Sequence, residues 1–117
     1  MGSSAKSGEY VGRNYARDEI PALIEKWGRH FGLDESGLRL AVRIAYCESG
    51  FNHLAKNRSS TASGVFQYLA STWANTEEGR SGLSVFDAEA NVKAATRHLA
   101  VHDPAPWNAS IHCWSKH

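Results

Sequence analysis

The sequence predicts a mainly α-helical fold, with a buried central helix followed by a small loop or hairpin insertion. Three segments carry apolar residues at helical spacing, whereas residues 53–64 are polar and show no sustained period. With 117 residues, 42% of them hydrophobic, the chain is long enough to close one core. We expect residues 1–15, rich in Gly, Ser and charge, to form a flexible arm and residues 16–117 to form a single domain.

The first helical segment begins near Ile20 and has one apolar face. Charged residues occupy its other face, which is typical of a surface helix with one buried side. Asp18 is the predicted N-cap, Pro21 is tolerated in the first turn, and Gly32 can end the helix in the left-handed conformation. The apolar face comprises Leu23, Ile24, Trp27 and Phe31.

The second segment runs from about Glu35 to Glu48 and is apolar on nearly every side apart from two arginines. A helix of this kind belongs in the middle of a domain. Asp34 is the predicted N-cap and Gly50 the predicted terminator. These boundaries place Glu48 in the final turn of the central helix.

The remainder of the chain predicts a short helix and then a third long one. The short helix is expected over 71–78, with the glycines of 79–82 breaking it. Asp87 is the predicted cap of the long helix, and residues 104–106, Pro-Ala-Pro, cannot continue it. The apolar face of that helix comprises Ala88, Val92, Ala95 and Leu99.

Composition excludes two classes of partner. The formal net charge is +1 and the basic residues are scattered, so we expect no nucleic-acid binding. No stretch approaches the roughly 18 apolar residues of a membrane span, so we expect no integral membrane segment. The first residues lack the apolar core of a secretory signal, so an export signal is not visible in this chain.

The two cysteines, Cys47 and Cys113, have three possible states. A disulfide between them would close a loop over most of the fold, which the chain-entropy model values at about 4 kcal/mol, and would indicate an oxidising compartment. Two buried thiols are the second possibility. Zinc coordination together with His53 and His112 is the third, although the paired spacing of structural zinc sites is missing.

Glu48 stands out because of its position. The helix macrodipole disfavours an anionic side chain at a helix C-terminus, and the neighbouring Tyr46, Cys47 and Phe51 indicate partial burial. Both effects raise the pKa of a carboxyl group, as a general acid working near neutral pH requires. The alternative is an ordinary exposed glutamate at a helix end.

Three motifs place this glutamate in a wider pattern. They are Ala45-Tyr46-Cys47-Glu48-Ser49-Gly50-Phe51-Asn52, then Ser63-Gly64-Val65-Phe66-Gln67, then Ser71-Thr72-Trp73. In order and spacing they resemble the lytic transglycosylase and goose-type lysozyme group, which has a lysozyme-like fold. The segment from Asp87 to Ala95, with Asn91, is similar to a later helix of that family. The resemblance covers about Asp34 to Trp114.

The resemblance implies a role for each matching residue. Glu48 is the implied catalytic residue, Gln67 and the Gly64 backbone are implied to bind sugar N-acetyl or hydroxyl groups, and Ser49 is implied to support them. Aromatic residues near the motifs are candidate platforms for sugar rings, although single aromatics more often belong to the core. The full set of expected substrate-binding residues is Ser49, Ser63, Gly64, Gln67, Tyr68, Asn91 and Trp107, with Tyr46 as a further platform candidate.

The chain departs from the family pattern in two places. Phe66 stands where the family often has Met before the Gln. Many members also have a C-terminal Ala-Tyr-Asn segment whose Tyr lies near the catalytic acid, and this chain lacks it. Trp107-Asn108 and Trp114 are the nearest equivalents, so the sequence leaves the third wall of the site open.

The acidic residues favour a one-carboxylate reaction. A two-carboxylate glycosidase needs a second Asp or Glu across the scissile bond, and none occurs between Glu48 and Glu77. The resemblance implies cleavage of the β-1,4 bond between N-acetylmuramic acid and N-acetylglucosamine in peptidoglycan, with Glu48 acting as acid and then as base to give 1,6-anhydro ends. We expect no cofactor and no metal, a monomer, and a secreted, periplasmic or phage-delivered location.

Three alternatives remain open at this point. Lysozyme-type hydrolysis could use water held by Thr61 or Ser63. A catalytically silent peptidoglycan-binding or virion module could retain the fold without the chemistry. A metal-dependent enzyme could use His98 and His102, four apart on one helix, although the residues between them include no Glu base.

Overall fold

The computed structural model describes residues 10–115, and within that range it is mainly helical without a β-strand, as the sequence predicts. The first and second helices, α1 and α2, lie side by side, and the fifth, α5, packs on both. Two 3-10 turns, Arg17–Glu19 and Ala105–Ser110, flank the main body. The helices are α1 (Ile20–His30), α2 (Glu35–Ser49), α3 (Ala70–Ala74), α4 (Glu77–Arg80), α5 (Ala88–Val101) and α6 (Ile111–Trp114).

Helix α2 is the central element, as predicted. It contacts α1, α5, α6 and the second 3-10 turn, because apolar side chains project from several of its sides. The core that it shares with its neighbours is continuous across the domain. Fully buried members of this core include Ile20, Ile24, Ala41, Ile44, Ala45, Val65, Phe66, Ala88, Val92 and Ala95.

The helix ends follow most of the predicted signals. Asp34 Oδ1 accepts a hydrogen bond from the Gly37 N–H at 2.8 Å, and Asp87 Oδ1 accepts one from the Ala90 N–H at 2.9 Å, so both predicted caps are confirmed. Gly50, with a φ of 62°, ends α2 in the left-handed conformation.

The predicted cap of α1 is wrong. Asp18 lies inside the 3-10 turn that precedes α1, and its side chain makes no capping bond there. Glu19 is the N-cap residue of α1 and makes no side-chain capping bond there; its Oε1 accepts a hydrogen bond from the Ala16 N–H at 2.8 Å at the start of the 3-10 turn instead.

The single short helix expected over 71–78 is also wrong. Two helices, α3 and α4, occupy this stretch, because the Thr76 hydroxyl accepts from the Gly79 N–H and starts a new helix. Gly79 lies inside α4 rather than breaking it. An added Cβ there would meet the Trp73 carbonyl, so the two helices approach closely at this glycine.

The insertion after α2 is a compact loop with two antiparallel bridges, Lys56 to Ser63 and Ser63 to Tyr68. His53 anchors its beginning and is 2% exposed. Its Nε2 accepts from the Tyr15 N–H at 2.9 Å, so Nδ1 carries the ring proton and donates it to the Phe86 carbonyl at 2.7 Å. The loop is therefore pinned to both the N-terminal segment and the approach to α5.

Residues 10–15 belonged to the expected flexible arm. Within them Tyr10 and Tyr15 both pack edge-on against His53, with ring centroids 5.7 and 5.6 Å away. The rest of that arm, residues 1–9, lies outside the described residues. In the part of the chain that is described, no helix is long and apolar enough to cross a membrane.

The C-terminal segment folds back onto the end of α2. Cys47 and Cys113 form a disulfide with their Cα atoms 5.9 Å apart, and Arg43 Nε donates to the Trp114 carbonyl at 2.9 Å. The disulfide prediction is confirmed, and the buried-thiol and zinc alternatives for these cysteines are wrong. Sequence periodicity did not indicate the second 3-10 turn or α6, because both are too short to show a period.

Candidate active site

Glu48 lies one residue before the end of α2 and is only partly accessible. Its Oε2 accepts a hydrogen bond from the Ser110 hydroxyl at 2.5 Å, a contact that joins residues 62 positions apart. Its Oε1 has no hydrogen-bond partner within residues 10–115. The carboxyl group therefore has one oxygen held by the protein and one available for a substrate.

The pKa of the Glu48 carboxyl is raised above its ordinary value. Burial is the main cause, because it disfavours the charged form, and the hydrogen bond from Ser110 offsets part of the rise. Its position in the last turn of α2 acts in the same direction as burial, since the helix dipole presents its negative end there. These effects favour the protonated group that a general acid needs.

The chain turns sharply immediately after Glu48. Gly50 has a φ of 62° and Phe51 a φ of 65°, so two successive residues are left-handed. This conformation costs a bulky aromatic residue about 1 kcal/mol or more, and such strained backbone is concentrated at functional sites. The turn separates the helix that carries Glu48 from the loop that carries Gln67.

Gln67 has its side chain fixed by the insertion loop. Its Nε2 donates to the Ala55 carbonyl at 3.1 Å and to the Gly64 carbonyl at 3.0 Å. Because both partners are acceptors, the amide orientation is determined and Oε1 must point away from them. Gln67 also has a left-handed φ of 54°, is partly exposed, and has no hydrogen-bond partner for Oε1 among residues 10–115, so it presents an acceptor from a strained backbone position.

Gly64 and Asn91 were expected to bind substrate, but the structure gives them an internal role. Asn91 is fully buried; its Oδ1 accepts from the Phe66 N–H, and its Nδ2 donates to the Val85 carbonyl, each at 2.9 Å. The Gly64 N–H donates to the Ala55 carbonyl. Both residues therefore position the turn that leads to Gln67, and their polar groups are already engaged within the protein.

The two candidate serines are likewise engaged. The Ser49 hydroxyl donates to the Ala45 carbonyl one turn earlier in α2, at 3.2 Å. Ser63 is buried, and its hydroxyl donates to the Thr61 carbonyl at 3.0 Å. Both hydroxyls thus donate within the protein, and their expected contact with substrate stays a prediction.

The expected aromatic platforms Tyr68 and Trp107 belong to the core. Trp107 is 5% exposed, its Nε1 donates to the Phe66 carbonyl at 2.9 Å, and its ring packs against Phe66, Tyr68 and His98. Little of either ring is left exposed for stacking on a sugar. Tyr46 is well exposed, but its ring packs against Phe51 with centroids 5.5 Å apart.

A groove borders this aromatic cluster. A recess of about 70 Å³ includes Gln67, Tyr68 and Trp107 in its lining, and the last two also line a cavity of about 400 Å³ between α3, α4 and α5. The Tyr68 hydroxyl makes no hydrogen bond to any described residue, and burial raises the pKa of this phenol so that it stays protonated. The structure thus brings Gln67, Tyr68 and Trp107 together along one surface depression.

A two-carboxylate mechanism would have to use an acidic residue from Glu77 onward, and each of these already has a partner elsewhere. None of them contributes to the pKa of Glu48. Asp87 and Asp103 accept hydrogen bonds from backbone N–H groups, and Glu89 accepts them from Lys26 and Trp27. Arg97 donates two hydrogen bonds to Glu78, and Glu77 lies 3.8 Å from the same arginine. No second carboxylate among the described residues contacts Glu48.

The histidine pair considered as a metal site lies on the last turns of α5. The rings of His98 and His102 have centroids 4.8 Å apart, and His98 Nε2 is 3.2 Å from the Asp103 carbonyl. Across residues 10–115, no three His, Cys, Asp or Glu side chains are grouped closely enough to hold a metal ion.

Sequence reasoning missed Ser110, the one residue within 10–115 that hydrogen-bonds to the Glu48 carboxyl group. It left the third wall open between Trp107-Asn108 and Trp114, and the structure shows that Ser110 lies between them in sequence and supplies the polar contact. The only indication in the sequence is that Ser110 is a small polar residue close to Cys113, whose expected disulfide partner Cys47 directly precedes Glu48. A serine in such a position is too common to be chosen from sequence alone.

Comparison with known families identifies a matching family model. A family model described as "Transglycosylase SLT domain" matches residues 22–103, well over half of the chain. The matched range includes Glu48, Gln67 and Asn91 and ends before Ser110. Comparisons with curated proteins and with solved structures gave no match.

Proposed function

The chain belongs to the transglycosylase SLT domain family, and from this premise we propose that it cleaves the β-1,4 bond between N-acetylmuramic acid and N-acetylglucosamine, leaving 1,6-anhydro-muramic ends. The family membership gives it a peptidoglycan lytic transglycosylase-type function in general terms. The specific bond, the product and the residue roles are the proposal. Because peptidoglycan lies outside the cytoplasmic membrane, the proposed place of action is the cell wall.

The observation that carries the proposal is the environment of Glu48. It is a partly buried carboxyl with a raised pKa, one hydroxyl contact and one free oxygen. A lone carboxyl of this kind suits a mechanism in which one group serves first as acid and then as base. A retaining or inverting hydrolase would need a second carboxylate roughly 5–9.5 Å away.

The reaction proceeds in two proton-balanced steps. Glu48 donates its proton to the glycosidic oxygen, the C1–O bond breaks, and the substrate's own N-acetyl group stabilises the positive charge at C1. The Glu48 carboxylate then removes the proton from the C6 hydroxyl of the same muramic acid while the C1–O6 bond forms. Glu48 is protonated again at the end, so neither water nor a cofactor is consumed.

Gln67 is the proposed binding partner for the sugar. Its Oε1 has no hydrogen-bond partner among the described residues and can accept from an N-acetyl N–H or a hydroxyl, because the amide is held through Nε2 by two carbonyls. A fixed acceptor loses little conformational entropy when it binds, which supports substrate positioning. Asn91 and Gly64 support this function indirectly by shaping the turn before Gln67.

The test is mass spectrometry of soluble products released from purified peptidoglycan by the wild type and by Glu48→Gln. Glu35→Gln is the matched control, since it makes the same change at the exposed start of the same helix. The expected result is anhydro-muramic ends from the wild type and the control and none from Glu48→Gln. Reducing ends would instead indicate a hydrolase, and no products from any protein would indicate a binding or virion module.

A further inference from the structure

The Ser110 hydroxyl has two acceptors but only one proton. Its oxygen lies 2.5 Å from Glu48 Oε2 and 3.1 Å from the Trp107 carbonyl. The contact to the Glu48 oxygen is the shorter of the two, and within the normal range a shorter donor–acceptor distance indicates the stronger hydrogen bond. The geometry therefore favours donation to Glu48 over donation to Trp107.

The Trp107 carbonyl does not depend on Ser110. It also accepts from Trp114 Nε1 at 3.0 Å, in a buried environment. Since this carbonyl keeps a donor when the serine proton points at Glu48, no buried polar group is left unsatisfied. The arrangement leaves Ser110 free to serve the carboxyl group.

We propose that Ser110 is a positioning residue for Glu48: by donating its proton to Oε2, it keeps the acidic proton of Glu48 on Oε1, the oxygen without a protein partner. This inference rests on the proposed catalytic role of Glu48. A carboxyl oxygen that is accepting a hydrogen bond from Ser110 at 2.5 Å is a poor place for a second proton. The transferable proton is therefore held on the oxygen that is open to substrate.

The same bond helps in the step that follows. Once Oε1 has given up its proton, the group is a carboxylate and the bond from Ser110 becomes charge-assisted, so it strengthens. An interaction that is stronger after proton transfer than before it lowers the barrier to that transfer. When Glu48 later takes the proton from the C6 hydroxyl, Ser110 again occupies Oε2 and directs the incoming proton to Oε1.

Three contacts hold the segment around Ser110 independently of its hydroxyl. Trp107 Nε1 is bonded to the Phe66 carbonyl, Trp114 Nε1 to the Trp107 carbonyl, and the Cys47–Cys113 disulfide joins the same segment to α2. Removing the hydroxyl alone should therefore leave this segment in place. The substitution Ser110→Ala is consequently a test of the hydrogen bond rather than of the fold.

The experiment compares wild type with Ser110→Ala and with Ser110→Thr, which keeps a hydroxyl. The titration of the Glu48 carboxyl is followed by NMR on protein carrying carbon-13 in its glutamate carboxyl groups, with Glu48→Gln identifying the signal. In Ser110→Ala the Glu48 pKa should rise further above its wild-type value, because the bond that lowers it is gone. In Ser110→Thr it should stay close to that of the wild type.

Kinetics on peptidoglycan provide the second measurement. Ser110→Ala should lower kcat about tenfold, less than the roughly 10²–10⁴-fold that a positioned general acid contributes, because Glu48 itself remains, with KM nearly unchanged. The alkaline limb of its pH profile should move to higher pH, and Ser110→Thr should restore most of the rate. A merely structural serine would lower activity at every pH without moving that limb.

Failure of the Ser110 proposal can be distinguished from failure of the proposed enzymatic function. An unchanged Glu48 titration in folded Ser110→Ala overturns the role of Ser110, even if Glu48→Gln abolishes activity. If the wild type releases no product at all, the proposed enzymatic function fails, and the positioning role of Ser110 fails with it. A shifted titration in that case would establish only the hydrogen bond.

Discussion

The disulfide between Cys47 and Cys113 ties the final turn of α2 to the C-terminal helix α6, directly beside the residue that carries the proposed acid. It closes a loop with a sequence separation of 66 residues. It therefore fixes the position of the segment that contains Ser110 as well as restricting the unfolded chain. Its loss should affect both stability and the geometry around Glu48.

Reduction of this disulfide is expected to destabilise the protein by about 4 kcal/mol in the chain-entropy model. For a domain of this size that corresponds to a fall in melting temperature of roughly 15 °C or more. Calorimetry with and without reductant measures it. The double variant Cys47→Ser/Cys113→Ser should melt at the lower temperature whether or not reductant is present. Equal melting temperatures for oxidised and reduced wild type would contradict the expectation.

Glu78 and Arg97 form a pair whose removal should be costly. Glu78 is 3% exposed and accepts two hydrogen bonds from the Arg97 guanidinium, at 2.9 and 2.8 Å. Glu78→Gln should lower the free energy of unfolding by about 2 kcal/mol, because it leaves the partly exposed Arg97 guanidinium without the buried carboxylate that accepts both of its hydrogen bonds. Urea unfolding measures this, with exposed Glu77→Gln as a control that should change stability by less than about 1 kcal/mol.

The same pair predicts a pH dependence of stability. Burial tends to raise the pKa of Glu78, but the hydrogen bonds and charge of Arg97 outweigh this and hold the pKa below its ordinary value. Its stabilising contribution is thus complete above the pKa of the unfolded chain and is lost as pH falls through the folded-state pKa. Between pH 6 and pH 2 the melting temperature should fall more steeply for the wild type than for Glu78→Gln. Parallel curves for the two proteins would contradict this pH dependence.

Gly64→Ala tests whether the turn before Gln67 depends on a missing side chain. Gly64 has a φ of 85°, and an added Cβ would meet Asn91 Nδ2 and the Val85 carbonyl. We expect a loss of about 3 kcal/mol of unfolding free energy, which combines left-handed strain with a clash against buried groups. Gly82→Ala is the control, because Gly82 has a φ of 86° but nothing near its Cβ position, so it should cost only about 1 kcal/mol. Similar losses in both variants would exclude the clash.

Glu48→Gln is expected to remove activity while raising stability at neutral pH. Burial raises the pKa of the wild-type Glu48 carboxyl, so the folded state holds this proton more tightly than the unfolded chain does. Above that pKa the ionised group therefore destabilises the fold. Gln cannot ionise, so this penalty disappears, whereas the rate should fall about 10²–10⁴-fold. Thermal melting at pH 4 and pH 7 checks the sign, since the difference between variant and wild type should be larger at pH 7.

The sequence alone determined the three long helices and the raised pKa of Glu48. Apolar spacing identified α1, α2 and α5, and short polar residues at Asp34 and Asp87 identified two of their beginnings, because these signals act within one or two turns of chain. The position of Glu48 at the end of a helix among apolar residues also predicted its raised pKa. Cysteine number and separation made the disulfide the preferred state.

Only the tertiary structure decided which candidate residues are free to act. Asn91, Ser63 and Trp107 looked like binding residues, yet all three are buried and bonded within the protein. Ser110 had no distinguishing sequence signal, yet it contacts Glu48 from 62 residues away. Whether a polar atom is already satisfied, and by which partner, depends on contacts between distant segments, and local sequence does not encode these contacts.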